Sequence, residues 1–159
     1  MIKKTRININ TSIKIYIKVL LSFLLNKGKK NESIFKNQLK NFFQTDNILL
    51  TSQGRVAAFN IFKVIISNKK NEIIVCPYTL TEIINAIIYA GGKPIYVEIN
   101  LKTGLPLDNE LEKKINDRTA SLIITHLYSN KDDLLKFGKK YSQRTKIIED
   151  AAINFGARV

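Results

Sequence analysis

Four short stretches of this 159-residue sequence carry side chains whose types and positions could do chemistry. The last of them, Lys146-Ile147-Ile148-Glu149-Asp150-Ala151-Ala152, reads as a short buried strand that delivers two carboxylates to its C-terminal end. In an open α/β sheet, ligands bind in the crevice beyond the carboxyl ends of the strands, so a carboxylate fixed there can act on a bound molecule. The same two acids also fit a helix N-cap and a solvated loop charge.

The other three stretches come earlier. Ser52-Gln53-Gly54-Arg55 stands where a loop enters a helix. Free backbone N–H groups and the helix dipole suit such a place to phosphate, and glycine lets the phosphate approach closely. It lacks the Gly-Lys-Ser/Thr ending of a Walker loop and the three glycines of a dinucleotide turn, and a plain helix start is its other reading. Tyr78, in Pro77-Tyr78-Thr79, follows a strand; its ring could stack on a planar ligand or cover the core. His126, the sole histidine, ends a further strand at the same edge, as a site residue or a hydrogen-bonded structural one.

These residues need a scaffold to bring them to one edge, and the rest of the sequence supplies its pattern. Glu72–Cys76, Pro94–Glu98, Ser121–Thr125 and Thr145–Ile148 read as strands. Between them, Arg55–Ser67, Thr79–Ala90, Asp108–Ile115 and Lys131–Tyr141 have helical spacing. The second of these helices stops at Gly91-Gly92, and Asp108 is placed to cap the third. Strands alternating with helices of this length predict an α/β fold, a mostly parallel sheet with helices on both faces. The strand runs are apolar throughout, as doubly covered strands are.

Composition excludes several classes. Apolar residues make up 45% and mean hydropathy is −0.08, the range of globular chains. No apolar run reaches the roughly eighteen residues of a membrane span. The single Cys76 rules out an internal disulfide, fits a reducing, cytoplasmic setting and reads as core packing. With one His and one Cys, no metal site of the His/Cys type is expected.

The net charge of +13 is uneven, since residues 1–46 hold ten Lys/Arg against two acids. Few aromatics accompany that charge, so no nucleic acid is expected as a partner. Ile13–Leu25 has a signal-like outline after Lys3, Lys4 and Arg6, but Lys14 and Lys18 interrupt it and no small-residue cleavage site follows. It reads as an amphipathic helix lying on the body or on a membrane surface, with membrane-surface contact through residues 1–30. Asn26–Asn31 is expected to be a linker or turn, and Ile34, Phe35, Leu39, Phe42 and Phe43 fall at helical spacing. The division expected is a basic amphipathic segment over 1–33 and a ligand-binding domain over 34–159.

Taken in order, these stretches resemble the N-terminal part of the DegT/DnrJ/StrS family of pyridoxal-phosphate aminotransferases, many of which act on nucleotide-linked sugars. The resemblance runs from about Phe35 to Ala157. It is carried by Ser52-Gln53-Gly54-Arg55-Val56-Ala57-Ala58, Glu72–Pro77, Asn85-Ala86, Ala90–Ile99, Arg118-Thr119, His126-Leu127-Tyr128, and Glu149-Asp150-Ala151-Ala152 with Gly156-Ala157.

The resemblance implies part of the large domain of an aspartate-aminotransferase-like fold. It further implies that backbone amides around Gly54, Arg55 and Val56 hold the phosphate of pyridoxal 5'-phosphate, that Tyr78 lies against its ring, and that Asp150 bonds the ring nitrogen. Glu149 is then structural. An amino donor such as glutamate, a keto-sugar nucleotide and a homodimer follow from the same resemblance.

The sequence departs from the family pattern in four places. Ile153 stands where the family has Gln, Phe155 where it has His, and Arg55 where Thr is commoner; one residue is missing between Pro77 and Asn85. The family lysine that attacks the cofactor has no counterpart before Val159, so no catalytic residue is assigned and the chain is expected to be a fragment inactive alone. A non-catalytic α/β binding module, and a basic protein binding anionic surfaces through residues 1–46, are the alternative readings.

Overall fold

Glu72-Ile73-Ile74-Val75 forms β1, and its four residues are all buried, as a strand covered on both faces must be. In the computed structural model it lies in a four-stranded sheet with β2 (Lys93–Tyr96), β3 (Thr119–Thr125) and β4 (Lys146–Asp150). The order is β2-β1-β3-β4 and every pairing is parallel. The structure describes residues 12–25, 27–126 and 131–153. Lys3, Lys4 and Arg6, the residues Leu127, Tyr128 and Ser129 after His126, and Phe155, Gly156 and Ala157 lie outside the described residues.

Side-chain alternation along the strands builds two cores. Ile73, Val75 and Ile123 pack with Phe62 of α3 (Gly54–Ile65) and with Ala86 and Ile87 of α4 (Thr81–Tyr89). Ile74, Cys76, Leu122 and Ile124 pack with Leu111 of α5 (Asp108–Lys114) and with Leu134, Phe137 and Tyr141 of α6 (Lys131–Tyr141). Each fully buried Ile here contributes roughly 2 kcal/mol of apolar burial. A register shift between Glu72 and Ile73 leaves Ala120 as an extra residue on β3, because Glu72 pairs with Thr119 and Ile73 with Ser121.

The connections set where a ligand can sit. The chain leaves β1 through α4 to β2 on one side and leaves β3 through α6 to β4 on the other. The direction of winding therefore changes between β1 and β3, the arrangement that leaves a crevice at the carboxyl ends of the strands in open α/β sheets. Gly91, at φ +92°, ends the α4 turn, where any side chain would be strained.

Two compact units divide the chain, residues 1–50 and 51–159. The first contains α1 (Ile13–Leu24) and α2 (Gly28–Phe43). The sheet and α3, α4, α5 and α6 belong to the second.

Three sequence expectations change. Residues 28–31, expected in a turn, open α2: the Asn31 N–H bonds the Lys27 carbonyl at 3.0 Å and its side chain donates to Ser22 Oγ at 2.6 Å. β4 is not buried but half-exposed, because no further strand pairs with its outer edge among the described residues. Asp108 does not cap α5; Leu107 holds the cap position without a side-chain bond. Asp108 instead accepts from Tyr141 Oη at 2.5 Å and pairs with Lys140 Nζ at 2.9 Å, because α6 packs beside α5 at that level.

Candidate functional site

The start of α3 fixes the first part of the site. Gln53 stands at the cap position in extended conformation, and its carbonyl accepts from the N–H groups of Val56 and Ala57, both at 3.1 Å. The N–H groups of Gly54 and Arg55 then have no acceptor among the described residues, as in the first turn of any helix. Gln53 Oε1 takes the Arg55 Nε–H at 2.6 Å, which ties the guanidinium to the side chain of the cap residue. A Cβ built on Gly54 would meet nothing within 4 Å, so open space reaches the backbone there.

The end of β4 supplies the second part. Ile147 packs against the α5/α6 core and Ile148 against the α3/α4 core. By alternation Glu149 follows Ile147, and Asp150 follows Ile148 toward α3. Asp150 is half-buried, and its Oδ1 accepts from the Ala152 N–H at 3.3 Å.

Gly54, Arg55 and Asp150 line one cavity of about 640 Å³. Its walls are mostly apolar, with Ile61 and Phe62 from α3, Leu80 and Ile83 at the start of α4, and Ile123 and Ile148 from the sheet. Glu82 and Glu149 also border it. The cavity thus combines a helix N-terminus and a guanidinium with carboxylates and an apolar lining. That set suits a flat, partly apolar molecule carrying an anionic group and a basic nitrogen.

The remaining sequence candidates lie elsewhere. Tyr78 is exposed and lines a separate cavity of about 250 Å³ with Cys76, Ile99 and Thr125, beyond the ends of β1 and β3. From the same loop it is Leu80 that reaches the larger cavity. Val56 faces a third hollow with Phe59, Asn85 and Tyr89, and its N–H is already bonded to Gln53.

His126 is buried beside the ladder. Its N–H donates to the Asp150 carbonyl at 2.9 Å, and its Nε2 lies 3.4 Å from Glu149 Oε2 without hydrogen-bond geometry. Sequence reasoning missed Leu80, Ile83, Ile123 and Ile148 as cavity walls. Their signal was ordinary apolar periodicity, which does not distinguish a core face from a ligand-facing one. Among the described residues no group of three His, Cys, Asp or Glu could hold a metal ion, and no helix is long and apolar enough to cross a membrane.

The sequence matches the model of the DegT/DnrJ/EryC1/StrS aminotransferase family over residues 8–159. The chain belongs to that family. Among its relatives, the dTDP-4-amino-4,6-dideoxy-D-glucose transaminase of Shigella dysenteriae is 29% identical, the match covering 82% of this chain and 35% of that protein. NtdA from Bacillus subtilis, solved with bound cofactor PMP, is 27% identical with a TM-score of 0.65, covering 78% of this chain and 29% of that one.

Aspartate aminotransferase from Thermotoga maritima shares the fold, with a TM-score of 0.62 at 22% identity over 74% of this chain and 34% of that one. The parallel sheet with helices on both faces is therefore part of the large domain of this aminotransferase fold, as the ordered motifs imply. The chain spans about a third of the length of the curated relatives it matches.

Proposed function

We propose that this family member forms the pyridoxal 5'-phosphate seat of an aminotransferase acting on nucleotide-linked sugars. The observation that carries the reading is the meeting of the α3 start and Asp150 in one cavity. Two free amides, the Arg55 guanidinium and open space over Gly54 fit a phosphate monoester. The Asp150 carboxylate fits a protonated ring nitrogen, and the apolar walls fit the ring.

Within this reading the residues divide the work. The Gly54 and Arg55 N–H groups and the Arg55 guanidinium bind and orient the phosphate. The Val56 N–H, bonded to Gln53, fixes the turn that aims them. Asp150 holds the proton on the ring nitrogen, and Leu80 and Ile83 exclude water. Tyr78, which lines the separate cavity, is given no contact with the ring, and His126 is assigned to the ladder that sets the end of β4. The bound cofactor supplies an electron sink for the pair released when an amino acid loses its α-proton.

None of the described residues lining the cavity is a lysine, so covalent capture and proton transfer are left to a residue outside it. Glutamate as amino donor, a keto-sugar nucleotide as acceptor and a homodimeric assembly complete the proposal.

Equilibrium dialysis of the chain against pyridoxal 5'-phosphate and against pyridoxal tests it. The phosphorylated form should bind roughly tenfold tighter, since the charge-assisted contacts at α3 act on it alone. Arg55→Ala should remove most of that preference. Equal binding of the two compounds, or a preference untouched by Arg55→Ala, overturns the reading.

A further inference from the structure

The twelve residues of α1 include none that is buried. Lys14, Lys18 and Ser22, spaced four apart, form a single polar stripe along the helix. Opposite it run Ile13, Ile17, Leu20, Phe23 and Leu24, each more than half exposed. Phe23 is 81% exposed and Ile13 77%. A contiguous apolar face of this kind on a surface helix marks a binding surface.

Charge indicates what covers it. Lys27, Lys29 and Lys30 follow directly, and residues 1–46 carry ten basic side chains against two acidic ones. A second copy would bring the same excess to the same face and be repelled. Nucleic acid would answer the lysines and leave the apolar face in water. An anionic phospholipid surface answers both, because the apolar side chains enter the acyl boundary while Lys14 and Lys18 extend their stems to the headgroups. At 1.5 Å per residue the helix is about 18 Å long, short of the roughly 30 Å bilayer core, so it lies in the plane of the interface.

We propose that α1 is an in-plane anchor for anionic membrane surfaces. This inference rests on the first unit alone and stands apart from the cofactor reading.

Co-sedimentation of the full chain with vesicles of phosphatidylcholine, alone and mixed with phosphatidylserine, tests it. Binding to the mixed vesicles should exceed that to phosphatidylcholine by roughly tenfold or more and fall as salt is raised. Leu20→Asp with Phe23→Asp should abolish it, and Lys14→Glu with Lys18→Glu should weaken it by roughly tenfold or more. Both double variants leave the buried cores untouched, which an unchanged far-ultraviolet circular dichroism spectrum confirms. Binding to neither vesicle, binding indifferent to salt and lipid charge, or binding retained by the apolar double variant overturns the proposal. So does α1-dependent self-association without vesicle binding, measured by sedimentation equilibrium, which would assign the face to a second copy.

Discussion

The His126 backbone N–H donates to the Asp150 carbonyl at 2.9 Å, so β3 and β4 end on one shared rung. That bond continues the ladder beyond Thr125↔Asp150 and ties the position of the Asp150 carboxylate to the buried strand beside it. The imidazole of His126 and the carboxylate of Glu149 meet at 3.4 Å, both following the α5/α6 side of the alternation. Asp150 follows the other side, toward α3.

Neighbouring carboxylates should therefore behave differently. Asp150→Asn should weaken pyridoxal 5'-phosphate binding about tenfold, the worth of a hydrogen bond to a charged group. Glu149→Gln should change it by less than about threefold, since its carboxylate lies 3.4 Å from His126 Nε2, on the other side of the alternation from Asp150. Equilibrium dialysis of the two variants side by side checks the contrast. Equal losses would show that the alternation does not separate their roles.

Tyr141 is fully buried, yet its hydroxyl reaches Asp108 at 2.5 Å across the gap between α6 and α5. Tyr141→Phe should cost about 1 kcal/mol, read from urea midpoints at neutral pH. The Tyr141 hydroxyl first, and then Lys140, hold the Asp108 carboxyl below its ordinary 3.8. A depressed carboxyl contributes stability above that ordinary value and loses it as pH falls through the lowered one. The gap between wild type and variant should accordingly shrink on acidification below pH 3.8. The effect is modest, since the Asp108 side chain is 61% exposed and solvent screens it.

Burial pushes the Cys76 thiol up to about 11 from its ordinary 9.0. Alkylation by iodoacetamide should be far slower in the folded chain than in urea, because the thiolate is the reacting form. Below pH 9.0 both states keep the thiol; between there and about 11 only the unfolded chain ionises, so stability falls as pH rises. Cys76→Ala lacks that loss, and its deficit against wild type should narrow over this interval.

By itself the sequence determined the alternation of strands and helices and the faces they bury, because both follow from local periodicity. Glu72–Val75 and Lys131–Tyr141 stand very nearly where their apolar spacing put them. It also determined that the loop before Gly54 starts a helix and that Asp150 ends a strand.

What it left open depended on contacts between distant segments. Asp108 has the residue type of a cap, and only the packing of α6 on α5 gave its carboxylate to a tyrosine 33 residues away. Tyr78 and Leu80 stand two residues apart in one loop, and the path of the backbone sent Leu80 and not Tyr78 into the cavity shared by Gly54 and Asp150. β4 has the apolar run of a buried strand, but it is half-exposed because among the described residues no further strand pairs with its outer edge. Strand order is a property of the whole sheet, fixed by how helices cover it, and no local run of residues encodes it.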